Sequence, residues 1–320
     1  MENEKLKLIR LADVETQEVS WLWYPYIPAG KITILEGNPG EGKTMLSLFL
    51  AAAVTNGALL PLQTTPPLPP ASVIFQSAED GLADTIKPRL ERAEADLSRI
   101  ITIDEGEQPL SVTDSRLEEA ILRERAKLLI LDPLQAFLGA DVDMHRANEV
   151  RPVMRKLANT ADNTGCAVML IGHLNKMQSA KGIQRGLGSI DIAAVARSIL
   201  SIASVQDNAE KRYLAHLKSS LAPAGKTLIF HIEDSLAFDG ESPLSADQIM
   251  SGYISLECRE TKRDNAMAAI EECLANGSRP AMEVYEHCLS LGLSKRTVDS
   301  AKQALCVRSI KRNDRWYWSL

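Results

Sequence analysis

Gly37-Asn38-Pro39-Gly40-Glu41-Gly42-Lys43-Thr44 lies between an apolar run, Ile32-Thr33-Ile34-Leu35, and a helical pattern from Met45 to Val54. Glycines at 37, 40 and 42 allow backbone dihedrals and a close approach that side chains forbid, so successive N–H groups can converge on phosphate oxygens at a helix N-terminus. Lys43 would then reach the β- and γ-phosphates, and the Thr44 hydroxyl would hold Mg²⁺. With Met45 opening the helix, the stretch 37–45 reads as a binding loop for ATP with Mg²⁺. A strand before it and a helix after it are the context that gives the spacing meaning.

Three further apolar runs end in polar groups that could act on a bound phosphate. Lys127 to Asp132 is a buried strand closing on an acid, so Asp132 would sit at the strand's C-terminal edge and hold Mg²⁺ through water. Val73 to Gln76 leads into Ser77-Ala78-Glu79-Asp80, where one carboxylate can orient and deprotonate an attacking water. Glu79 comes first after the strand and is preferred; either acid could instead cap the helix that follows. Ala167 to Ile171 ends in Gly172-His173, a polar group where a γ-phosphate sensor is needed. After it, Lys176, Lys181 and Arg185 lie in a loop with no acid until Asp191, a composition suited to a polynucleotide backbone or to a solvated surface.

These groups need a scaffold that brings strand ends together. Short β-branched or Leu-rich runs at 32–36, 72–76, 100–103, 127–131, 167–171, 198–203, 212–217 and 227–232 alternate with helical segments, which predicts an α/β fold with a mostly parallel sheet. Pro61 to Pro70 is too rich in proline for either element and reads as an exposed connection. The expected organisation is an N-terminal arm over 1–27, an ATPase domain over 28–240, a linker over 241–263 and a small domain over 264–320. Helical patterns at 266–274, 281–291 and 294–305, then an alternating run from Arg308 with Asn313-Asp314 at its turn, predict a winged helix-turn-helix.

Composition narrows the partners. With 45% apolar residues in 320, the chain can bury a large core, and a net charge of −6 excludes a generally basic coat for nucleic acid. Any DNA contact must be local, and Lys295, Arg296, Lys302, Arg308, Lys311, Arg312 and Arg315 make the C-terminal end basic. Trp316, Tyr317 and Trp318 could stack bases, although alternate members of a hairpin usually pack inward. The five cysteines are scattered without a C-x-x-C pair, which fits reduced thiols in a cytoplasmic protein, and no run has the length of a membrane span or signal segment.

The order of these motifs, with Trp21 to Gly37 in front, resembles the RecA-like P-loop ATPases of the RepA replicative helicase group, and the basic tail resembles those of mobile-element ATPases. Similarity runs from about Trp21 to Ile232. The resemblance implies a ring or filament with ATP between subunits and a cationic finger from the neighbour, for which Arg197 and Lys218 are the two candidates. It implies a DNA-associated motor in replication or maintenance of a phage, plasmid or integrated element, acting on single-stranded or duplex DNA with a primase or another replication protein as a further partner. An ATP-controlled DNA-binding switch or loader without unwinding activity is the alternative; a small-molecule kinase is disfavoured by the basic segments.

Overall fold

Parallel strands buried on both faces need apolar side chains in both directions, and the runs at Ile32, Val73, Leu128 and Ala167 supply them. The computed structural model describes residues 8–139, 142–144, 146–173, 190–205, 208–250, 262–275, 277–305, 307–312 and 315–319. Two units result, Met1–Ser251 and Gly252–Leu320.

In the first unit β1 (Trp21–Trp23) and β2 (Ile27–Pro28) form a hairpin. β3 (Ile32–Gly37) leads into α1 (Lys43–Asn56), and β4 (Val73–Ser77) into a π-helical turn, Leu82–Ile86, and α2 (Lys87–Arg92). β5 (Ile100–Ile101), α3 (Ser115–Glu124), β6 (Leu128–Asp132), α4 (Ala147–Thr164), β7 (Ala167–His173), α5 (Ile190–Val195) and β8 (Ser198–Val205) follow. β9 (Asn208–Ser219), β10 (Leu228–Ile232), β11 (Leu236–Glu241) and α6 (Ala246–Met250) complete it.

The sheet order is β11-β10-β9-β8-β3-β7-β6-β4-β5. From β8 to β5 every pairing is parallel; β9, β10 and β11 are added antiparallel. Alternation along the strands sends Leu35, Phe75, Ile130 and Met169 to the face covered by α1, α2 and the hairpin. Ile34, Ile74, Leu129 and Val168 point to the other face, against Leu117, Met154 and Leu157 of α3 and α4. Parallel pairing puts the C-terminal ends of β3, β4, β6 and β7 along one edge, where ligands bind in open α/β sheets.

Two expected boundaries move. Residues 21–27 are not part of an arm: Trp23, Tyr26 and Ile27 are buried, with Trp23 Nε1 donating to Pro61 O at 2.9 Å and Tyr26 Oη to Lys226 O at 2.7 Å. Those partners lie far along the chain, so no local pattern announces them. At the other end, β11 and α6 occupy part of the expected linker, and Leu244 and Ile249 are buried in the first unit. Gly240, which read as linker, lies within β11, and Ser242 and Ser245 stand in the short stretch between β11 and α6. The stretch 61–70 is irregular.

The second unit contains α7 (Lys262–Leu274), β12 (Arg279–Pro280), α8 (Ala281–Ser290), α9 (Lys295–Ala304), β13 (Arg308–Arg312) and β14 (Arg315–Ser319). Its strands pair antiparallel in the order β12-β14-β13, and Arg312 stands opposite Arg315 at the hairpin's end; Asn313 and Asp314 fall outside the described residues. Ile270, Val284, Cys288, Val298 and Trp318 form its core. α9 starts where Ser294 Oγ accepts from Thr297 N at 3.2 Å, the N-cap its sequence predicts. Of the three adjacent aromatics, Trp318 is buried and Trp316 exposed. Cys166, Cys273 and Cys288 are free and buried, and among the described residues no helix is long and apolar enough to cross a membrane.

Removing a buried indole leaves a cavity as well as lost contact, so Trp23→Ala should lower stability by about 3–5 kcal/mol. Tyr24→Ala, at a position 44% exposed, should change it by less than about 1 kcal/mol. Urea unfolding of the two variants distinguishes a hairpin built into the core from a loose arm.

Candidate functional site: a phosphate loop beside two carboxylate-tipped strands

The loop between β3 and α1 owes its path to three glycines, each for its own reason. A Cβ on Gly37 would stand 2.9 Å from the Ile202 carbonyl of the neighbouring strand β8. Gly40, at φ +79°, has open space around it and is required by conformation alone. Gly42, at φ +94°, is the left-handed N-cap of α1, and a side chain there would also collide with Ile232. The start of α1, with its unpaired N–H groups, thereby faces the loop.

Glu41 turns back into the loop. Its carboxylate accepts from Asn38 N at 2.7 Å and Asn38 Nδ2 at 2.9 Å, holding the tip together. Lys43 is 5% exposed, and its Nζ donates to Gly37 O and Asn38 O, both at 2.9 Å. Burial lowers its pKa, while the carboxylates of Glu41, Asp132 and Glu79 oppose that shift. The ammonium is held inside the loop by carbonyls that a phosphate oxygen could replace.

Thr44 Oγ1 donates to Asp132 Oδ2 at 2.6 Å, linking the start of α1 to the end of β6. Burial raises the Asp132 pKa, the Thr44 hydrogen bond lowers it, and nearby Glu79 and Asp80 raise it again. Ser77 is the register partner of Asp132, and Ala78 N donates to Asp132 O at 3.0 Å, so β4 and β6 end side by side. The two acids after β4 differ. Asp80 is taken by Arg89, whose Nη1 donates to its Oδ2 at 2.9 Å; Glu79 is exposed and makes no hydrogen bond or ion pair among the described residues. His173 closes β7 directly opposite Gly37 in the register. Lys176, Lys181 and Arg185 lie outside the described residues.

The residues present fit a nucleotide with Mg²⁺. A hydroxyl and a carboxylate 2.6 Å apart are the hard oxygen donors that ion accepts, and the glycine loop leaves backbone N–H groups and an ammonium beside them.

Arg197 and Lys218 are not brought to this site within the chain. Arg197 N donates to Ile32 O at 2.9 Å, which places it at the start of β3 and β8, the opposite edge of the sheet. There it lines a cavity of about 460 Å³ with Lys31, Arg151 and Arg155. Lys218 Nζ donates to the carbonyls of Ala193 and Ala196 at 2.8 Å and to that of Ala194 at 3.4 Å, capping the end of α5. Burial first, and then Arg197, lower its pKa.

A mostly parallel sheet whose central strand runs through a glycine loop into a helix, beside a hydroxyl–carboxylate pair, defines a P-loop nucleotide-binding protein. The family model described as an AAA domain matches residues 2–179, and the chain belongs to that family of P-loop ATPases. No curated protein matches it.

Sequence reasoning missed Glu36. It is 2% exposed, and its Oε1 has no hydrogen-bond partner among the described residues. Ser201, its register partner on β8, also has a buried hydroxyl without a partner among the described residues. Burial pushes the Glu36 carboxyl up to about 8 from an ordinary 4.5. The neutral acid is therefore the form the fold prefers. Its contribution to stability is fully present below pH 4.5 and is lost as pH rises toward 8.

Glu36→Gln keeps the neutral shape and removes the titration. It should match the parent near pH 4.5 and exceed it by about 3 kcal/mol at pH 7. Denaturant midpoints of the two proteins across this range test it, the difference widening with pH.

Proposed function

We propose that this P-loop ATPase is a DNA-associated, RecA-like motor of the RepA helicase type, working as a ring or filament of identical chains on a mobile or integrated element. The observation that carries the reading is the division of charge across the sheet. Lys43, Thr44, Asp132 and Glu79 lie at the C-terminal ends of the parallel strands, and Arg197 at the N-terminal end. One chain offers the phosphate loop at one edge and the Arg197 cation at the other, and a second copy is read as completing the site. Arg197 is favoured over Lys218 as the finger because the Lys218 ammonium is already committed to α5 carbonyls.

ATP with Mg²⁺ supplies the phosphoanhydride bond and the metal's charge. Toward it, Lys43 and the loop N–H groups bind and orient phosphate oxygens, and Thr44 and Asp132 hold the metal. Glu79 takes the proton of the attacking water; Asp80, tied to Arg89, keeps the turn after β4 in place. His173, level with Gly37, is assigned as the phosphate sensor.

DNA contact is assigned to the loop carrying Lys176, Lys181 and Arg185 and to the second unit, read as a winged helix. Three helices and an antiparallel β12-β14-β13 sheet support that reading, as do exposed Lys295 and Arg296 at the start of α9 and Lys311 and Arg312 on the hairpin. Lys302 lies over the Trp318 ring, 4.6 Å from its centroid, and contributes charge from beside that core.

Lys43→Ala should lose nucleotide affinity and turnover together. Glu79→Gln should bind nucleotide normally and turn over roughly 10²–10⁴-fold more slowly. Equilibrium binding of a fluorescent ATP analogue beside phosphate release separates the two, and normal turnover in the Glu79 variant would move the base elsewhere.

Exchanging both Lys295 and Arg296 for Glu in the full chain should weaken duplex DNA binding and flatten its dependence on salt, because fewer counterions are released. An unaltered salt slope would remove α9 from the DNA surface. ATP hydrolysis that single-stranded or duplex DNA does not stimulate would count against the motor itself, and stimulation without strand displacement would favour a switch or loader.

A further inference from the structure

The phosphate loop already holds an anion of its own. Asn38, Pro39 and Gly40 at its tip are exposed, whereas Glu41, the next residue, is 7% exposed, with its side chain folded back into the loop. The carboxylate accepts from Asn38 N at 2.7 Å and from Asn38 Nδ2 at 2.9 Å, and Oε2 lies so close to the backbone that a Cβ on Gly37 would stand 2.9 Å from it. Nothing in the loop's spacing asks for an acid here, because the four positions between Gly37 and Gly42 are unrestricted.

Glu41 and Lys43 hold the same stretch of backbone by opposite groups. Asn38 gives its N–H to the carboxylate and its C=O to the ammonium, and Gly37 gives its C=O to the ammonium as well. Of the three carboxylates that hold the Lys43 pKa up against burial, Glu41 acts most strongly, ahead of Asp132 and Glu79. Those two have tasks on a bound nucleotide, Asp132 at the metal and Glu79 at the water. Glu41 has neither. Its hydrogen bonds lie within the loop, so arriving phosphates meet a fixed negative charge that no metal or proton transfer absorbs. In a partly buried loop such a charge is poorly screened, and the repulsion subtracts directly from phosphate affinity.

We propose that Glu41 sets nucleotide affinity: it is an internal anion that competes with the phosphates for Lys43 and the loop, so that nucleotide is held loosely and released quickly. The inference rests on the phosphate-site reading above and adds to it the residue that limits binding. A carboxylate that only clamped the loop tip would have the opposite effect, since its removal would loosen the loop and weaken the complex.

Three substitutions in the full chain separate charge from shape. Glu41→Gln keeps a carbonyl oxygen for Asn38 N and removes the charge, Glu41→Asp keeps the charge and shortens the reach, and Glu41→Ala removes both. In stopped-flow binding of a fluorescent ATP analogue with Mg²⁺, Glu41→Gln should bind roughly tenfold more tightly than the parent, most of the gain lying in slower dissociation. Glu41→Asp should bind no more tightly than the parent, and Glu41→Ala should fall between the parent and Glu41→Gln. Binding by Glu41→Gln that equals or falls below the parent's, or a gain as large in Glu41→Asp, would overturn the proposal. Urea unfolding checks that each variant is folded; should Glu41→Gln fail there, Glu41→Ala must still bind more tightly than Glu41→Asp, and the reverse order overturns the proposal equally. A parent that binds no nucleotide would sink the phosphate-site reading and this inference together. A parent whose binding is lost in Lys43→Ala but not strengthened in Glu41→Gln would leave that reading intact and remove only this one.

Discussion

A buried ammonium sets the terms for the loop after β3. Taking Lys43 out of water is costly unless its N–H groups find acceptors, and the nearest are the carbonyls of Gly37 and Asn38. Those carbonyls reach it only because the backbone folds over the side chain, a path that needs left-handed conformations at Gly40 and Gly42 and no side chain at Gly37. Glu41 then closes the tip by accepting from Asn38, adding one of the negative charges that offset the loss of solvent around Lys43. Loop shape, glycine placement and acidic neighbours are consequences of one charge held in a small space.

Parallel pairing decides what this charge can meet. Because β4 and β6 run in register with β3 and β7 and stop at the same edge, Asp132 reaches Thr44 and Glu79 enters the field of both Lys43 and Asp132. The same geometry forces the residues that precede the strands, Lys31 and Arg197, to the far edge. A single copy therefore separates its phosphate loop from its basic cavity by the length of the strands.

The loop, the strand endings and most of the sheet were legible because each is a local pattern. A glycine spacing between an apolar run and a helix, or an acid closing a run such as Leu128 to Leu131, is written in consecutive residues. Glu36 and Lys218 were not, for a common reason. Their environments come from residues far along the chain: β8 beside Glu36, α5 beneath Lys218. A Glu at a strand end reads as solvated until the neighbouring strands cover it, and a Lys on a strand reads as free until a helix ends against it. The choice between Glu79 and Asp80 depended in the same way on Arg89, which is on the following helix.

The second unit carries a tension of its own. α9 opens with Lys295 and Arg296 and has no acid in its first turn, although the positive end of the helix dipole disfavours cations there. Ser294 offsets part of that cost by capping the helix, and Lys295 also leans toward the Tyr285 ring, 5.5 Å from its centroid. Neither requires a basic pair, since a Glu in the first turn would complete the cap better and suit the dipole. The basic pair is therefore a cost to the helix that the cap and the ring only partly offset.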